Sequence, residues 1–490
     1  MRTIHERKDG TFMTPAFISS SHVFLSDPCF WSSGRVSGRR HRNAVYSKPQ
    51  SGTVRLPTRL VLEDAPSREK TTQFDRAEFD RYVQNTYARY PLTLVSGRGS
   101  KVVDDNGRTY IDCVAGIATC SLGHADPRLV SAVSDQIRRL HHVSNLYYTV
   151  EQASLAKWLV EHSCGDRVFF CNSGAEANEA ALKLVRKYAH TQLGLDVPVV
   201  VTAMNSFHGR TLATITATGQ PKYQRGFEPL MPGFRYVPYN DVAALERVVN
   251  ELEQMRNSWW RRIQGAPRTG LAAIMLEALQ GEGGVMPGDR AFFAAAQRIC
   301  ERTGALLVLD EVQVGMGRTG KLFGFENLSI QPDIFTLAKG LGGGIPIGAM
   351  ICNARLRDIL QPGEHASTFG GNPLACRAGL VVTRALVEDN VLENVRARGA
   401  QLRNTLESLA RAYPSVVRET RGWGLIQGLE FHEPCSPQFV QAAMREGVLL
   451  VPAGPRVVRF VPPLTITESE LEEAIQATRR AFRNLFGSES

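Results

Sequence analysis

Asp333-Ile-Phe-Thr-Leu-Ala338 is an apolar run that stops at Lys339 and continues as Gly340-Leu-Gly-Gly-Gly344. Its residues favour a strand, and the glycines that follow mark backbone that must turn sharply or approach something closely. Upstream, Ala305-Leu-Leu-Val-Leu309 ends in the same manner on Asp310. Neither run alternates apolar with polar residues, which is the pattern of strands buried on both faces. Arg167-Val-Phe-Phe-Cys171 is a further run of this kind, followed by a helix from about Ala175. Residues 199–202 and 271–276 are others, and a helix near residues 290–302 precedes Ala305. Short strands alternating with helices predict an α/β domain on a mostly parallel sheet. From about Asn372 the pattern changes to helices through Leu386 and over 391–411, strands at 425–431 and 457–461, and a helix over 468–485. That tail reads as a smaller α+β domain, and no internal repeat is present.

Ligands of open α/β sheets bind beyond the carboxyl ends of the strands, which is where Asp310 and Lys339 fall. An acid after a strand is commonly a helix cap or metal ligand, and a strand-end lysine is commonly solvated. Together in a glycine-lined crevice they suit a Schiff-base amine and the counter-charge of its cofactor. Fourteen of the 43 glycines lie between Gly281 and Gly348, about twice an even share. Asn172-Ser-Gly174-Ala175-Glu-Ala-Asn178 opens a helix whose Ala177, Ala180, Ala181, Leu184 and Val185 have core spacing. The free N–H groups of such a first turn, with small side chains around them, suit a phosphate. Phe207-His-Gly-Arg210 supplies an aromatic face and a guanidinium, and His365-Ala-Ser367-Thr368-Phe-Gly-Gly371 supplies hydroxyls on a second glycine-rich loop. Arg459 stands in the apolar strand Val457-Val-Arg459-Phe-Val-Pro-Pro463. A guanidinium there is costly unless paired, and a structural ion pair is the plain reading of it.

Two motifs fail on context. Gly315-Met-Gly317-Arg-Thr-Gly320 matches the dinucleotide fingerprint G-x-G-x-x-G but continues Lys321-Leu322-Phe-Gly324-Phe without helical period. A fingerprint must open a helix. Read as a phosphate-binding P-loop, the same stretch has Leu322 where a magnesium-binding Ser or Thr belongs. A nicotinamide dehydrogenase is therefore the remote alternative.

These residues and their order resemble the class III, or ω-amino-acid, aminotransferases that depend on pyridoxal phosphate, from about Phe79 to Phe486. The stretches Asn85-Thr-Tyr-Ala-Arg-Tyr-Pro91, Ala115-Gly-Ile-Ala118, Ser144-Asn-Leu-Tyr-Tyr148, Phe169-Phe-Cys-Asn-Ser-Gly174 and His365-Ala-Ser-Thr-Phe369 are most similar to members acting on N-acetylornithine. The resemblance implies a fold-type I transferase and a homodimer with each active site shared between subunits. It implies that Lys339 holds the cofactor through its amine and then shuttles the reaction's proton. Asp310 would pair with the pyridinium nitrogen, Gln313 would meet the ring hydroxyl, and Phe207 would stack on the ring. Gly174, Ala175 and, from the partner subunit, Thr368 would hold the phosphate. Arg210 would bind a substrate carboxylate and Ser367 the acetylornithine end. Arg459 would take the α-carboxylate of glutamate and pair with Glu282 when the monocarboxylate donor is bound. The small-molecule substrates implied are N-acetylornithine with the 2-oxoglutarate/glutamate couple, and ornithine or 4-aminobutyrate are the alternatives within the class. Ala278 departs from the proline usual in Glu277-Ala-Leu-Gln280.

The implied organisation is a leader and linker over 1–75, an N-terminal segment of the small domain over 76–130, the large cofactor domain over 131–371 and the small domain over 372–490. The net charge of +9 sits mostly in the leader. Residues 1–60 hold ten Lys/Arg and three acids, a balance of +7, with nine Ser and five Thr. An Arg-rich, hydroxyl-rich and acid-poor segment reads as an organelle transit peptide, plastid ahead of mitochondrion, with Met1 or Met13 as the start. A basic nucleic-acid-binding arm is the alternative for that segment. The rest is nearly neutral, so no nucleic-acid partner is expected. No apolar run is long enough to span a membrane. The nine cysteines are dispersed without a C-x-x-C pair, so neither a disulfide framework nor a metal site is expected.

Overall fold

The computed structural model describes residues 76–487 of the 490. The transit-peptide reading lies outside the described residues. The chain divides into a unit ending at Ala88, in which Arg76–Tyr82 is helical, and a unit from Arg89 onward.

The centre of the second unit is a seven-stranded sheet. In chain order the strands are β1 (Arg167–Cys171), β2 (Val197–Ala203), β3 (Phe234–Val237), β4 (Thr269–Glu277), β5 (Leu306–Asp310), β6 (Ile334–Leu337) and β7 (Gly348–Cys352). Across the sheet they run β1-β7-β6-β5-β4-β2-β3. Only β7 is antiparallel to its neighbours. β5, β6 and β7 are buried along their whole length, as their unbroken apolar composition requires.

Successive side chains feed opposite cores because strand side chains alternate. Val200, Met275, Leu306, Val308, Ile334 and Met350 pack beneath helix α1 (Gly174–Thr191). Val201, Ile274, Leu307, Leu309, Phe335 and Ala349 face the other way, into the core that holds Phe292 and Phe293 of helix α2 (Arg290–Thr303).

A second, antiparallel sheet is built from Val417–Trp423, Ile426–Phe431, Val457–Phe460 and Val451–Pro452. Val391–Ala412, Ser436–Arg445 and Glu468–Phe486 are its accompanying helices. A third sheet joins the strands Leu94–Arg98, Lys101–Asp104 and Thr109–Asp112 to Val448–Leu449. The sequence-derived strands and helices are present with their ends moved by a few residues. β3 and β7 are additions: β3 is a four-residue edge strand, and β7 runs against the parallel pattern that the alternation of strands and helices predicts.

The carboxyl ends of β1, β2, β4, β5 and β6 open on one side. Chain leaving those ends carries Gly174, Phe207–Arg210, Glu277–Glu282, Asp310 and Lys339 respectively. The topology alone thus gathers distant segments at one edge.

Candidate active site

A cleft of about 390 Å³ lies at that edge. Gly174, Ala175, Phe207, Arg210, Glu282, Asp310, Gln313 and Lys339 all line it, and its size is that of an ordinary small-ligand cavity.

Asp310, the last residue of β5, is 5% exposed. Its Oδ2 accepts hydrogen bonds from Asn178 Nδ2 at 2.7 Å and from His208 Nδ1 at 2.8 Å. Its Oδ1 accepts from the Val312 N–H at 3.0 Å, which leaves that oxygen a lone pair for a ligand. Asn178 is itself clamped: Nδ2 also donates to the His208 carbonyl at 2.7 Å, and Oδ1 accepts from Thr336 Oγ1 at 2.8 Å. The carboxylate is therefore oriented by side chains from α1 and from the loop after β2.

Lys339 follows β6 with φ of +40°, a left-handed conformation for a residue that has a Cβ. Such backbone persists only where its surroundings impose it. Here Gly340 has no room for a side chain: a Cβ would stand 2.9 Å from Ser121 Oγ, whose hydroxyl donates to the Gly340 carbonyl. Burial lowers the lysine pKa below its ordinary value, and Arg459 adds to the effect, while Glu282, Asp310 and Glu277 oppose it. The outcome favours a neutral, nucleophilic amine.

At the mouth of α1 the Ser173 hydroxyl caps the helix by accepting from the Glu176 N–H. The Gly174 and Ala175 N–H groups belong to the first turn, which intrahelical bonding leaves free for an anion. A Cβ on Gly174 would come within 2.7 Å of Val312 Cγ1, and one on Gly209 within 2.8 Å of the Ala175 methyl. Both glycines let the loops close on the helix start.

Arg459 is fully buried, as its apolar strand foretold. Its Nη1 donates to Gln313 Oε1 at 2.7 Å, and its Nη2 lies 2.8 Å from Glu282 Oε1. Its Nε has no hydrogen-bond partner among the described residues. Burial opposes ionisation of Glu282, yet Arg459, with Lys339 and the Gln313 amide, holds its carboxyl below the usual range. Arg210 is exposed at the cleft mouth, its guanidinium over the Tyr223 ring.

Ser367 and Thr368 do not join the cleft of their own chain. Ser367 lies in a separate groove with Asn145 and Phe169, and its hydroxyl accepts from Asn172 Nδ2 at 3.3 Å. Thr368 is exposed beside His142 and Tyr147.

The sequence reading missed Asn178, His208, Val312 and Glu277. Asn178 had a signal, since it is a polar residue within the buried face of α1. Glu277 is the last residue of β4, and its carboxylate accepts the Phe207 N–H at 3.1 Å. Burial pushes its pKa well up, and the nearby Asp310 adds to this. At Ala278, the proline-free turn is held by the Gly288 N–H, donated to the Ala278 carbonyl at 2.9 Å.

The cleft fits pyridoxal phosphate on its own geometry. An oriented carboxylate, a free helix start, an aromatic face at Phe207 and a buried amine line one cavity. No group of acids, histidines and cysteines suited to a metal ion occurs among the described residues.

The model of the aminotransferase class-III family matches residues 82–482. An acetylornithine aminotransferase of Synechocystis is 60% identical over 445 residues, covering 90% of this chain and all of that protein. One from Thermosynechococcus vestitus is 60% identical over 416 residues, covering 84% of this chain and 98% of its own. Among solved structures, N-acetylornithine aminotransferase of Stenotrophomonas maltophilia aligns with a TM-score of 0.69 and 38% identity, covering 81% of this chain and 97% of that one. An ornithine aminotransferase of Toxoplasma gondii, whose active site is partly occupied by pyridoxal phosphate, aligns with a TM-score of 0.76 and 32% identity. That alignment covers 84% of this chain and 94% of the Toxoplasma chain.

Proposed function

This chain belongs to the class-III aminotransferase family, a pyridoxal-phosphate-dependent one, and from that premise we propose that it acts on N-acetylornithine. The reaction is transfer of the δ-amino group between N-acetyl-L-ornithine and 2-oxoglutarate, giving N-acetyl-L-glutamate 5-semialdehyde and L-glutamate, a step of arginine biosynthesis. The observation that carries N-acetylornithine as donor is the 60% identity to acetylornithine aminotransferases over most of the chain, and the pair of arginines supports the exchange between a monocarboxylate and a dicarboxylate. Arg459 is buried and held by Glu282 and Gln313, whereas Arg210 stands at the mouth. Such a site can take a donor with one carboxylate at Arg210. It can also take glutamate, with its α-carboxylate drawing Arg459 away from Glu282 and its second carboxylate at Arg210.

When bound, the cofactor supplies the carbonyl that receives the amine and a ring that accepts the electron pair of the broken C–H bond. The residues that would hold it are Lys339, Asp310, Gln313, Phe207, Gly174 and Ala175. Asp310, fixed by Asn178 and His208, would keep a proton on the ring nitrogen. Lys339 Nζ, once displaced by the substrate amine, would take the proton from the substrate's amine-bearing carbon and deliver it back on the cofactor side. Phe207, tethered through its N–H to Glu277, would cover one ring face and limit water.

A homodimer with shared sites is part of the proposal. What supports it is that Thr368 and Ser367 fall outside their own cleft, where a second copy would use them for the phosphate and the acetyl end. Leu146, Tyr147, Tyr148, Val150 and Phe369 stand exposed around that surface. Plastid location is supported by the basic leader composition and by cyanobacterial relatives. No helix among the described residues is long and apolar enough to cross a membrane.

The test is a donor panel at fixed 2-oxoglutarate, with N-acetylornithine, N-succinylornithine, ornithine and 4-aminobutyrate, read as glutamate formed. N-acetylornithine should give the highest kcat/KM. A higher value for ornithine or 4-aminobutyrate would overturn the substrate assignment.

A further inference from the structure

Arg210 presents a problem that its assignment leaves open. It is exposed, and among the described residues it makes no ion pair that would hold its guanidinium in one place. A long side chain free in solvent loses rotamer entropy each time it captures a carboxylate. The structure supplies an anchor of another kind. Arg210 Cζ stands 4.0 Å from the centre of the Tyr223 ring and 5.6 Å from that of Phe207. Those two rings meet edge to face, 5.7 Å apart and inclined at 79°.

Tyr223 is well placed to act as a fixed support. It belongs to the short helix Pro221–Gln224, and its N–H donates to the Gln220 carbonyl at 3.0 Å. The neighbouring Gln224 amide donates to the Thr218 carbonyl at 2.9 Å and to the Tyr236 hydroxyl at 3.1 Å, so the turn is tied to the end of the helix Leu212–Ala217 that follows Arg210 and to β3. Half-buried, the ring keeps one side against Phe207 and offers its electron-rich face to the guanidinium. Lys222 Nζ lies 4.6 Å from the same ring centre, a second cation beside the ring.

We propose that Tyr223 is a positioning residue for substrate: its ring seats the Arg210 guanidinium, setting the span between the carboxylate of the donor and its reacting amine. This rests on the reading of Arg210 as the carboxylate receptor. Its consequence is selective, since only substrates with a carboxylate at that distance feel the loss of the ring.

The experiment compares Tyr223→Leu and Tyr223→Gln, both without an aromatic ring, with Tyr223→Phe in the cofactor-loaded enzyme. The ring-less variants should raise KM for N-acetylornithine about threefold to tenfold, with a smaller change in kcat. Tyr223→Phe should return KM toward that of the unaltered protein. N-acetylputrescine, the same donor without its carboxylate, should show no rise with any of them. In an Arg210→Ala background, Tyr223→Leu should add nothing further. If Arg210→Ala raises KM while both ring-less variants leave it unchanged, this inference is overturned and the proposed function stands. If N-acetylputrescine suffers as much as N-acetylornithine, Tyr223 merely supports the fold and the inference is again overturned. Should Arg210→Ala itself leave KM unchanged, the carboxylate assignment fails and the role of Tyr223 fails with it.

Discussion

Replacing Glu282 by Gln keeps the shape of the side chain and removes the charge that faces Arg459. In the structure the two approach to 2.8 Å, with the arginine side chain wholly buried and the glutamate 22% exposed. At an effective dielectric of about 20, charges centred about 4 Å apart attract by about 4 kcal/mol. Solvent at the glutamate and the desolvation of both groups reduce the usable part to about 2 kcal/mol, a factor of about 30. In the unaltered protein, glutamate exchanges one carboxylate for another at Arg459 and gains little from it. In Glu282→Gln the incoming α-carboxylate meets an unpaired cation, so kcat/KM for glutamate should rise by up to that factor of about 30. N-acetylornithine brings no second carboxylate and leaves the cation uncompensated beside the reacting amine, so its kcat/KM should fall. The two amine-donating half-reactions, measured separately in single turnovers, report each effect alone. Equal changes for both donors would refute the movable pair and reduce Arg459 to a structural ion-pair partner.

Asn178→Ala would leave the Thr336 hydroxyl and the His208 carbonyl without partners and take one of the three hydrogen bonds that hold Asp310. Two buried orphans should cost about 2–5 kcal/mol of stability, visible as a lower denaturation midpoint, and an unchanged midpoint would show that the clamp is dispensable. Glu311 is buried with its carboxylate on the Gly324 and Phe325 N–H groups, and burial pushes its pKa up to about 8 from the ordinary 4.5. A raised carboxyl contributes stability that is complete below pH ~4.5 and is lost as pH climbs through ~8. Melting temperature should therefore decline across that window, and Glu311→Gln should flatten the decline. Lys339→Ala should abolish turnover, and borohydride reduction should then fix no cofactor to the protein. Cofactor fixed at another lysine would contradict the assignment.

Much of the fold and site is legible in the amino-acid order alone. β4, β5 and β6 announce themselves because strands covered on both faces are apolar throughout, and the polar residue that ends such a run lies where the sheet opens. Asp310 and Lys339 can be placed on that basis. Arg459 is conspicuous for the opposite reason, as a charge that an apolar strand must pair. What escapes depends on contacts between segments far apart in sequence. Asn178 and His208 hold Asp310 across 132 and 102 residues, and nothing local marks either as its partner. The glycines around Arg318 show the converse. Their spacing imitates a nucleotide fingerprint, yet the structure uses them for close packing. Gly317 and Gly320 have φ of +87° and +85°, and a Cβ on Gly317 would stand 2.7 Å from Leu386 Cδ2. Arg318, fully buried, donates to the Leu425 and Pro462 carbonyls of the second sheet's region. Local spacing is ambiguous there; the absence of a following helix is the clue that counts.

The most direct test of amino transfer at this site follows one nitrogen atom. N-acetylornithine labelled isotopically at its δ-nitrogen should be turned over with 2-oxoglutarate and cofactor, and the glutamate product analysed by mass. The label should appear in glutamate in equal amount to the N-acetylglutamate 5-semialdehyde formed, and Lys339→Ala should abolish both. Label released as ammonia, or glutamate formed without it, would contradict amino transfer at this site.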